Sequence, residues 1–312
     1  MGRSLGPLKG GCMPRRAICD ANVFRYLGAA DIALADLRAL CPGASIWLSP
    51  ATVLELVSRY TEGSFEHRQA AARAMISVGT EILPDPEVYL TRDVFGLRLN
   101  EVEFDWNQAI LAMAQAQDMQ HLQGGVADYK AHVKRAVSLQ FARSYREGVD
   151  RDFIEDMLTV QRREIPGLAE WLDTDPQTRR GCVPTLDRER ARQFEEHSGS
   201  DAFMETLFAG ALLRALFKTD ELPPYPATEA WVERRGRARN QLEFYLRVYR
   251  RYLIRLLTAG MLPRANDWFD LEVMLYSSDD DCVIVSSDAK WASMATEEGL
   301  GHRTVVLTPR GA

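Results

Sequence analysis

Short apolar runs alternate with segments of helical spacing at both ends of the chain, and this alternation predicts a parallel sheet with crossover helices. The apolar runs with the length of buried strands are residues 17–19, 45–48, 81–83, 282–285 and 303–307. Helical spacing of apolar residues is found over residues 29–40, from residue 50 onward, and over residues 68–78, 267–276 and 291–298. We therefore expect an α/β fold with about five parallel strands flanked by helices.

The alternation stops in the middle of the chain. From about residue 87 to residue 260 the sequence has helical periodicity broken by loops, without a convincing pair of strands. The predicted organisation is a core whose first part covers residues 15–86 and whose second part covers residues 261–312, with a large all-helical insertion over residues 87–260. Inserting a long segment at a surface connection costs little closure entropy, so this arrangement is physically reasonable.

Composition and charge narrow the class of protein. The 312 residues are 46% hydrophobic and 26% charged, which is ordinary for a folded globular chain. A net charge of −6 argues against a wholly basic nucleic-acid binder but leaves room for a local basic groove. The five cysteines are odd in number and widely spread, which argues against a disulfide framework and favours a reducing compartment. No apolar stretch is long enough to span a bilayer, and we expect a cytoplasmic protein without membrane contacts.

Four acidic residues lie where strands end or helices begin. Asp20 ends the first apolar run and Asp288 lies just past residues 282–285, while Glu55 and Asp270 lie near the starts of two helices. In an open parallel sheet, ligands bind outside the carboxyl ends of the strands, so these four carboxylates are expected in one crevice. They would repel one another unless a cation neutralised them. Carboxylate oxygens suit Mg²⁺ or Mn²⁺, so the pattern indicates a metal site.

These motifs, in this order, resemble those of the PIN-domain (PIN-like) nucleases. The matching pieces are the strand followed by Asp20-Ala21-Asn22, Glu55 within SPATVLELV, Asp270 within NDWFDLEVMLY, and Ser286-Ser287-Asp288 after the fourth strand. The match covers the two ends of the chain and leaves the central segment unaccounted for.

The resemblance implies a PIN-like parallel sheet and divalent-metal-dependent hydrolysis of phosphodiester bonds, usually in RNA. In that family pattern Asp20, Glu55, Asp270 and Asp288 hold one or two Mg²⁺ or Mn²⁺ ions. Asn22 and Ser286 would orient these ligands or the scissile phosphate. Asp267, three residues before Asp270, is interpreted as the N-cap of its helix, with a role as a further metal ligand left open. The competing interpretation of Asp20 and Asp288 is that they are ordinary turn residues after strands.

A second feature is the arginine-rich stretch over residues 231–257. The arginines considered as a nucleic-acid-binding surface are Arg234, Arg235, Arg237 and Arg239. The alternative is a surface helix whose arginines pair with acidic neighbours. The tyrosines that follow are interpreted as core residues on one helical face: Tyr245, Tyr249 and Tyr252.

The resemblance implies a metal-dependent ribonuclease that cuts within its substrate, as a toxin, defence or RNA-processing enzyme. The expected partners are nucleic acid, with RNA first, and a protein partner or inhibitor at the helical insertion; the oligomeric state stays open. Two alternatives remain at this stage. One is a structure-specific DNA nuclease that uses the same metal site, and the other is a non-catalytic PIN-like scaffold whose insertion binds a protein or nucleic acid.

Overall fold

A sheet of five parallel strands lies at the centre of the protein. The computed structural model describes residues 16–57, 64–79, 81–100, 103–127, 188–216, 218–258, 267–277 and 281–309. The strands are β1 (Arg16–Cys19), β2 (Ser45–Leu48), β3 (Glu81–Ile82), β4 (Cys282–Ser286) and β5 (Thr304–Val306). Their order across the sheet is β3-β2-β1-β4-β5, and every neighbouring pair is parallel. The predicted α/β fold with about five parallel strands flanked by helices is confirmed.

Helices connect and cover these strands. Those before the stretch 128–187 are α1 (Ala21–Gly28), α2 (Leu34–Leu40), α3 (Pro50–Val57), α4 (Phe65–Val78), α5 (Pro86–Val88) with a π-helical continuation (Tyr89–Val94), α6 (Trp106–Gln115) and α7 (Met119–Gly124). Those after it are α8 (Arg188–Ser198), α9 (Asp201–Leu216), α10 (Glu229–Gln241), α11 (Glu243–Thr258), α12 (Asp267–Leu275) and α13 (Ala289–Glu297).

The first helix was not expected from the apolar spacing. A single helix over residues 29–40 was predicted, whereas the chain forms α1 and α2 with a turn between them in which Ala30 has a φ of 61°. Asp20 starts α1, because its side chain accepts a hydrogen bond from the backbone N–H of Val23 at 3.0 Å. Capping therefore sets the position of this helix, and the apolar pattern of α1 alone is too short to reveal it.

Strand residues point alternately to the two faces of the sheet, and each face has its own hydrophobic core. Ile18 of β1 is paired with Ile284 of β4, and both contribute to the core on the side of α12 and α13. The neighbouring positions Ala17 and Val283 contribute to the core on the side of α1 and α4. All four side chains are buried, so the sheet is covered on both faces, as parallel sheets are in general.

The central segment packs against both sides of this sheet. Within the described part of residues 87–260 the regular elements are helices and no strand is present. Residues of α6 belong to the core that includes α1 and α4, whereas residues of α9 and α11 belong to the core that includes α12 and α13. The segment is therefore continuous with the sheet domain in its packing. The predicted division into three stretches stays a prediction.

Ion pairs add to the attachment of α11 to the end of α13. Arg247, Arg250 and Arg251 of α11 all contact the carboxylate of Glu298, which is almost fully buried. Removing one partner of such a buried network leaves an uncompensated charge, so the contact fixes α11 firmly along α13.

In the part of the chain that the structure describes, no helix is long and apolar enough to cross a membrane.

Candidate active site

The strand order reverses between β1 and β4, and the candidate site lies at that point. The chain moves from β1 outward to β2 and β3, and its last two strands, β4 and β5, are added on the other side of β1. The helices on either side of such a switch point diverge, which leaves a crevice at the carboxyl ends of the two central strands. Asp20 follows β1 and Asp288 follows β4, so both line this crevice from adjacent strands.

Asp20 is the most firmly held of the acids. It is 3% exposed, and its two carboxylate oxygens accept hydrogen bonds from different elements: Oδ1 from the Val23 N–H at 3.0 Å and Oδ2 from the Ser286 hydroxyl at 2.5 Å. Ser286 thus connects the end of β4 to the end of β1. Burial raises the pKa of Asp20, and the hydrogen bonds from Ser286 and Val23 oppose that rise.

Glu55 reaches the same crevice from the second turn of α3. Its side chain is buried, and its Oε1 lies 3.3 Å from Nη2 of Arg25 on α1. Nη1 of Arg25 donates to the side-chain oxygen of Asn22 at 3.0 Å, so Asn22 orients the arginine. Burial raises the pKa of Glu55 to about 7; Arg25 acts against this rise and the charge of Asp20 adds to it. The last effect means that Glu55 and Asp20 are close enough for their charges to interact.

Asp270 completes a group of three interacting carboxylates. It lies in the first turn of α12, and its Oδ2 accepts a hydrogen bond from Nε1 of Trp291 at 2.8 Å. Burial raises the pKa of Asp270 well above its usual value, and the charges of Asp20 and Glu55 raise it further, while Trp291 and Lys290 oppose the rise. The predicted Asp20, Glu55 and Asp270 therefore meet, although they come from three separate parts of the sequence.

Asp288 lies at the border of this group. It precedes α13, and its Oδ1 accepts from the backbone N–H of Lys290 at 2.8 Å, as an N-cap does. Its own N–H donates to the Ser286 hydroxyl at 3.0 Å, and its Oδ2 lies 3.7 Å from Nζ of Lys290. Ser286 therefore joins the backbone of Asp288 to the carboxylate of Asp20, and the Asp288 carboxylate lies beside a lysine.

Asp267 lies in the first turn of α12 as the structure describes it, directly after residues 259–266, which lie outside the described part of the chain. Its role as the N-cap of this helix therefore stays a prediction. Its buried carboxylate accepts a hydrogen bond from the Tyr252 hydroxyl at 3.1 Å and forms an ion pair with Nζ of Lys290 at 2.5 Å. A carboxylate paired with a lysine in this way is already neutralised, so Asp267 is a poorer metal ligand than the three interacting acids.

Four side chains of the site were not found from the sequence: Arg25, Lys290, Trp291 and Tyr252. Arg25 lies one helical turn after Asn22, a spacing that carries a signal only once α1 is known to be a helix. Lys290 and Trp291 follow the Ser286-Ser287-Asp288 motif after one intervening residue, and their position at the start of a helix after a parallel strand was the available signal. No sequence signal indicated that Tyr252 belongs to the site, because its contact with the site depends on how α11 packs.

The chemistry of the donor set fits a hard divalent cation. Asp20, Glu55 and Asp270 present only oxygen atoms, which Mg²⁺ and Mn²⁺ prefer, and their ionised forms disfavour one another. Within the residues described, however, no group of three or more His, Cys, Asp or Glu side chains is arranged so that it could hold a metal ion. Glu55 faces Arg25 and Asp270 faces Trp291, so these two carboxylates have to turn from their present partners to ligate a metal.

The arginine cluster on α10 is partly engaged in ion pairs. Arg235 and Arg239 both pair with Glu205 of α9, the latter at 2.9 Å. Arg237 is exposed, and Arg234 is half-buried. For two of the four arginines this arrangement favours the interpretation of a surface helix paired with acidic neighbours.

The tyrosine face of α11 lies in the core as expected, with Tyr245, Tyr252 and much of Tyr249 removed from solvent.

The fold and the site define an α/β protein with a carboxylate-lined crevice at the switch point of a five-stranded parallel sheet. No family model, curated protein or solved structure matches the chain. The resemblance to the PIN-domain nucleases therefore depends on the four motifs themselves and on the elements that carry them.

Proposed function

We propose that this protein is a metal-dependent nuclease of the PIN-like type that hydrolyses phosphodiester bonds, with RNA as its substrate. The observation that carries the proposal is the convergence of Asp20, Glu55 and Asp270 in one crevice, where the charge of Asp20 raises the pKa of Glu55 and the charges of both raise the pKa of Asp270. Two buried carboxylates and a partly buried third, close together without a dication, are costly, and such an arrangement persists where function requires it. A bound Mg²⁺ or Mn²⁺ ion would activate water and offset negative charge on the phosphate.

The roles of the chain's own residues follow from their contacts. Asp20, Glu55 and Asp270 are the groups that would hold the metal, with Asp288 at the border of the site. Ser286 fixes the direction of the Asp20 carboxylate through its hydrogen bond. Arg25 is 20% exposed and Lys290 is 18% exposed, and they flank the acids from two sides. If Glu55 turned to hold a metal ion, Arg25 would be released from its carboxylate and could bind the oxygens of a phosphodiester, whereas Lys290 would stay paired with Asp267.

The preference for RNA over DNA comes from the resemblance, as does a role in toxicity, defence or RNA processing. A cytoplasmic location belongs to the same proposal, because the described cysteines Cys19, Cys41 and Cys282 are buried free thiols that suit a reducing compartment. The exposed Arg237 of α10 is the part of the basic cluster best suited to contact the phosphate backbone.

A cleavage assay with two site variants and one matched control tests the proposal. End-labelled RNA and single-stranded DNA are incubated with the protein in the presence of Mn²⁺ or EDTA. Asp20→Asn and Asp270→Asn keep the size of the side chain and remove its charge, so we expect metal-dependent cutting to be lost in both. Asp31→Asn is the control, because Asp31 is exposed beyond the carboxyl-terminal end of α1, which runs away from the site.

Each outcome of this assay decides between the interpretations. Cutting of RNA, but not DNA, by the wild type and the Asp31 variant alone supports a ribonuclease. Cutting of DNA would make the protein a DNA nuclease on the same site. Equal cutting in all variants would refute the site, and no cutting under any condition would favour the non-catalytic scaffold.

A further inference from the structure

Tyr252 connects the central helical segment to the candidate site. It lies on α11, is 7% exposed, and its hydroxyl donates to Oδ2 of Asp267 at 3.1 Å. Asp267 and Asp270 share the first turn of α12, so this hydrogen bond holds the end of the helix that carries a proposed metal ligand. The bond is buried, and a buried carboxylate that loses a donor is left with an uncompensated lone pair.

The ring of the same tyrosine makes a second connection. It stacks on the indole of Trp291, with ring centroids 5.5 Å apart and an angle of 24° between the planes. The indole N–H of Trp291 is the donor to Asp270 at 2.8 Å, and Trp291 is 1% exposed. Because a stacked, buried indole has little freedom to rotate, the tyrosine ring sets the direction of the N–H that points to Asp270.

Lys290 closes these contacts into a ring. Its Nζ pairs with Asp267 and lies 4.4 Å from the centroid of the Trp291 ring, on which it makes a cation–π contact. A closed set of contacts therefore joins four residues: Tyr252 contacts Asp267, Asp267 contacts Lys290, Lys290 contacts Trp291, and Trp291 contacts Tyr252. Only Tyr252 comes from the central segment; the other three come from the last part of the chain.

We infer that Tyr252 is a positioning residue for the acidic site, so that the central helical segment helps to orient Asp270. The inference rests on the proposed nuclease function and goes beyond it by giving this segment a part in the site. Outer partners that orient ligating carboxylates are worth about tenfold to a hundredfold in metal affinity or activity when they are removed. Tyr252 acts on Asp267 directly and on Asp270 through Trp291, and it does not itself contact the substrate.

The competing explanation is that Tyr252 is only a core residue, and the chain offers a matched control. Tyr249 lies one turn earlier on α11, is packed against the same core, and contacts Tyr245 with ring centroids 5.8 Å apart. Tyr249→Leu removes an aromatic ring from the same helix without touching Asp267 or Trp291. A purely structural effect should therefore be equal in Tyr249→Leu and Tyr252→Leu.

The experiment measures Mn²⁺ affinity by calorimetry, the melting temperature in EDTA, and kcat and KM separately for RNA. For Tyr252→Leu we expect Mn²⁺ binding weaker by about tenfold to a hundredfold and a lower kcat with little change in KM. Tyr252→Phe keeps the stacking and loses only the hydroxyl, so it should recover part of both. Tyr249→Leu should lower the melting temperature while leaving Mn²⁺ affinity and kcat unchanged.

Two failures can be told apart. If Tyr252→Leu and Tyr249→Leu weaken Mn²⁺ binding and kcat equally in a protein whose wild type binds Mn²⁺ and cuts RNA, Tyr252 is a core residue and only this inference is overturned. If the wild type neither binds Mn²⁺ nor cuts nucleic acid, the nuclease proposal itself fails, and the positioning role fails with it.

Discussion

Replacing Glu55 by glutamine should stabilise the metal-free protein, and the gain should depend on pH. The ordinary pKa of a glutamate near 4.5 rises to about 7 for Glu55, first because the side chain is buried and then because Asp20 is charged. Arg25 offsets only part of this effect. The folded protein therefore binds a proton at Glu55 over a pH range in which the unfolded chain has released it.

The sign and size follow from this difference. A carboxyl group whose pKa is higher in the folded state contributes most to stability below its unfolded pKa, and that contribution is lost as pH rises toward the folded pKa. Each tenfold change in proton affinity corresponds to about 1.4 kcal/mol, so a rise from 4.5 to about 7 corresponds to about 3 kcal/mol. Glutamine keeps the shape of the side chain and does not ionise. Its advantage over glutamate should be near zero below about pH 4.5 and reach about 3 kcal/mol above about pH 7.

Urea unfolding in EDTA at several pH values, for the wild type and Glu55→Gln, measures this difference directly. Subtracting the two free energies of unfolding at each pH cancels the titration of all other groups that the substitution leaves unaffected. A difference that is constant between about pH 5 and about pH 8 would refute the assignment of Glu55 as a buried, repelled carboxylate. Adding Mn²⁺ above about pH 7 should reverse the order of stability, because only the wild type keeps all three carboxylates to bind the ion.

Three further predictions concern the scaffold and the basic surface. Arg214 contacts both carboxylate oxygens of the buried Glu272 at 2.7 Å. The substitution Arg214→Met removes this cation and should lower the free energy of unfolding by about 3–5 kcal/mol in urea titrations. Gly28→Ala brings a methyl group to 2.6 Å from the backbone carbon of Ala70 where α1 crosses α4, and should cost about 1–3 kcal/mol in the same assay; an unchanged midpoint would contradict the close approach. Arg237→Glu should weaken RNA binding and reduce its salt dependence, and an unchanged salt slope would remove Arg237 from the binding surface.

The strands and the approach of the acids to one edge could be predicted because both depend on local signals. β1 and β4 are apolar runs bounded by polar residues, and residues after parallel strands must lie at the same edge of the sheet. Asp20 and Ser286 are 266 residues apart in the sequence, yet each is placed by its own strand, and the register of β1 against β4 brings them into contact.

The cations and aromatic residues of the site could not be predicted, because they depend on the rotation and packing of helices. Arg25 reaches Glu55 because α1 crosses α3, and nothing in either helix alone specifies that crossing. Tyr252 was correctly interpreted as a core residue, but a helical face of tyrosines does not reveal that one hydroxyl among them will meet Asp267. Periodicity shows which side of a helix is buried and not what it is buried against.

The contacts of α12 also define the relation between the central segment and the two ends of the chain. Glu272 of α12 is paired with Arg214 of α9, and Asp267 is bonded to Tyr252 of α11, so the central segment satisfies two buried carboxylates on the helix that carries Asp270. The apolar residues of α12 and α13 share one core with α9 and α11. A chain that joined the two ends without the middle would expose that core and leave both carboxylates without these partners. Breaking a buried ion pair alone costs about 3–5 kcal/mol, which is a large share of the roughly 5–15 kcal/mol that keeps a domain folded. The central segment is thus part of what folds the site, whatever else it binds.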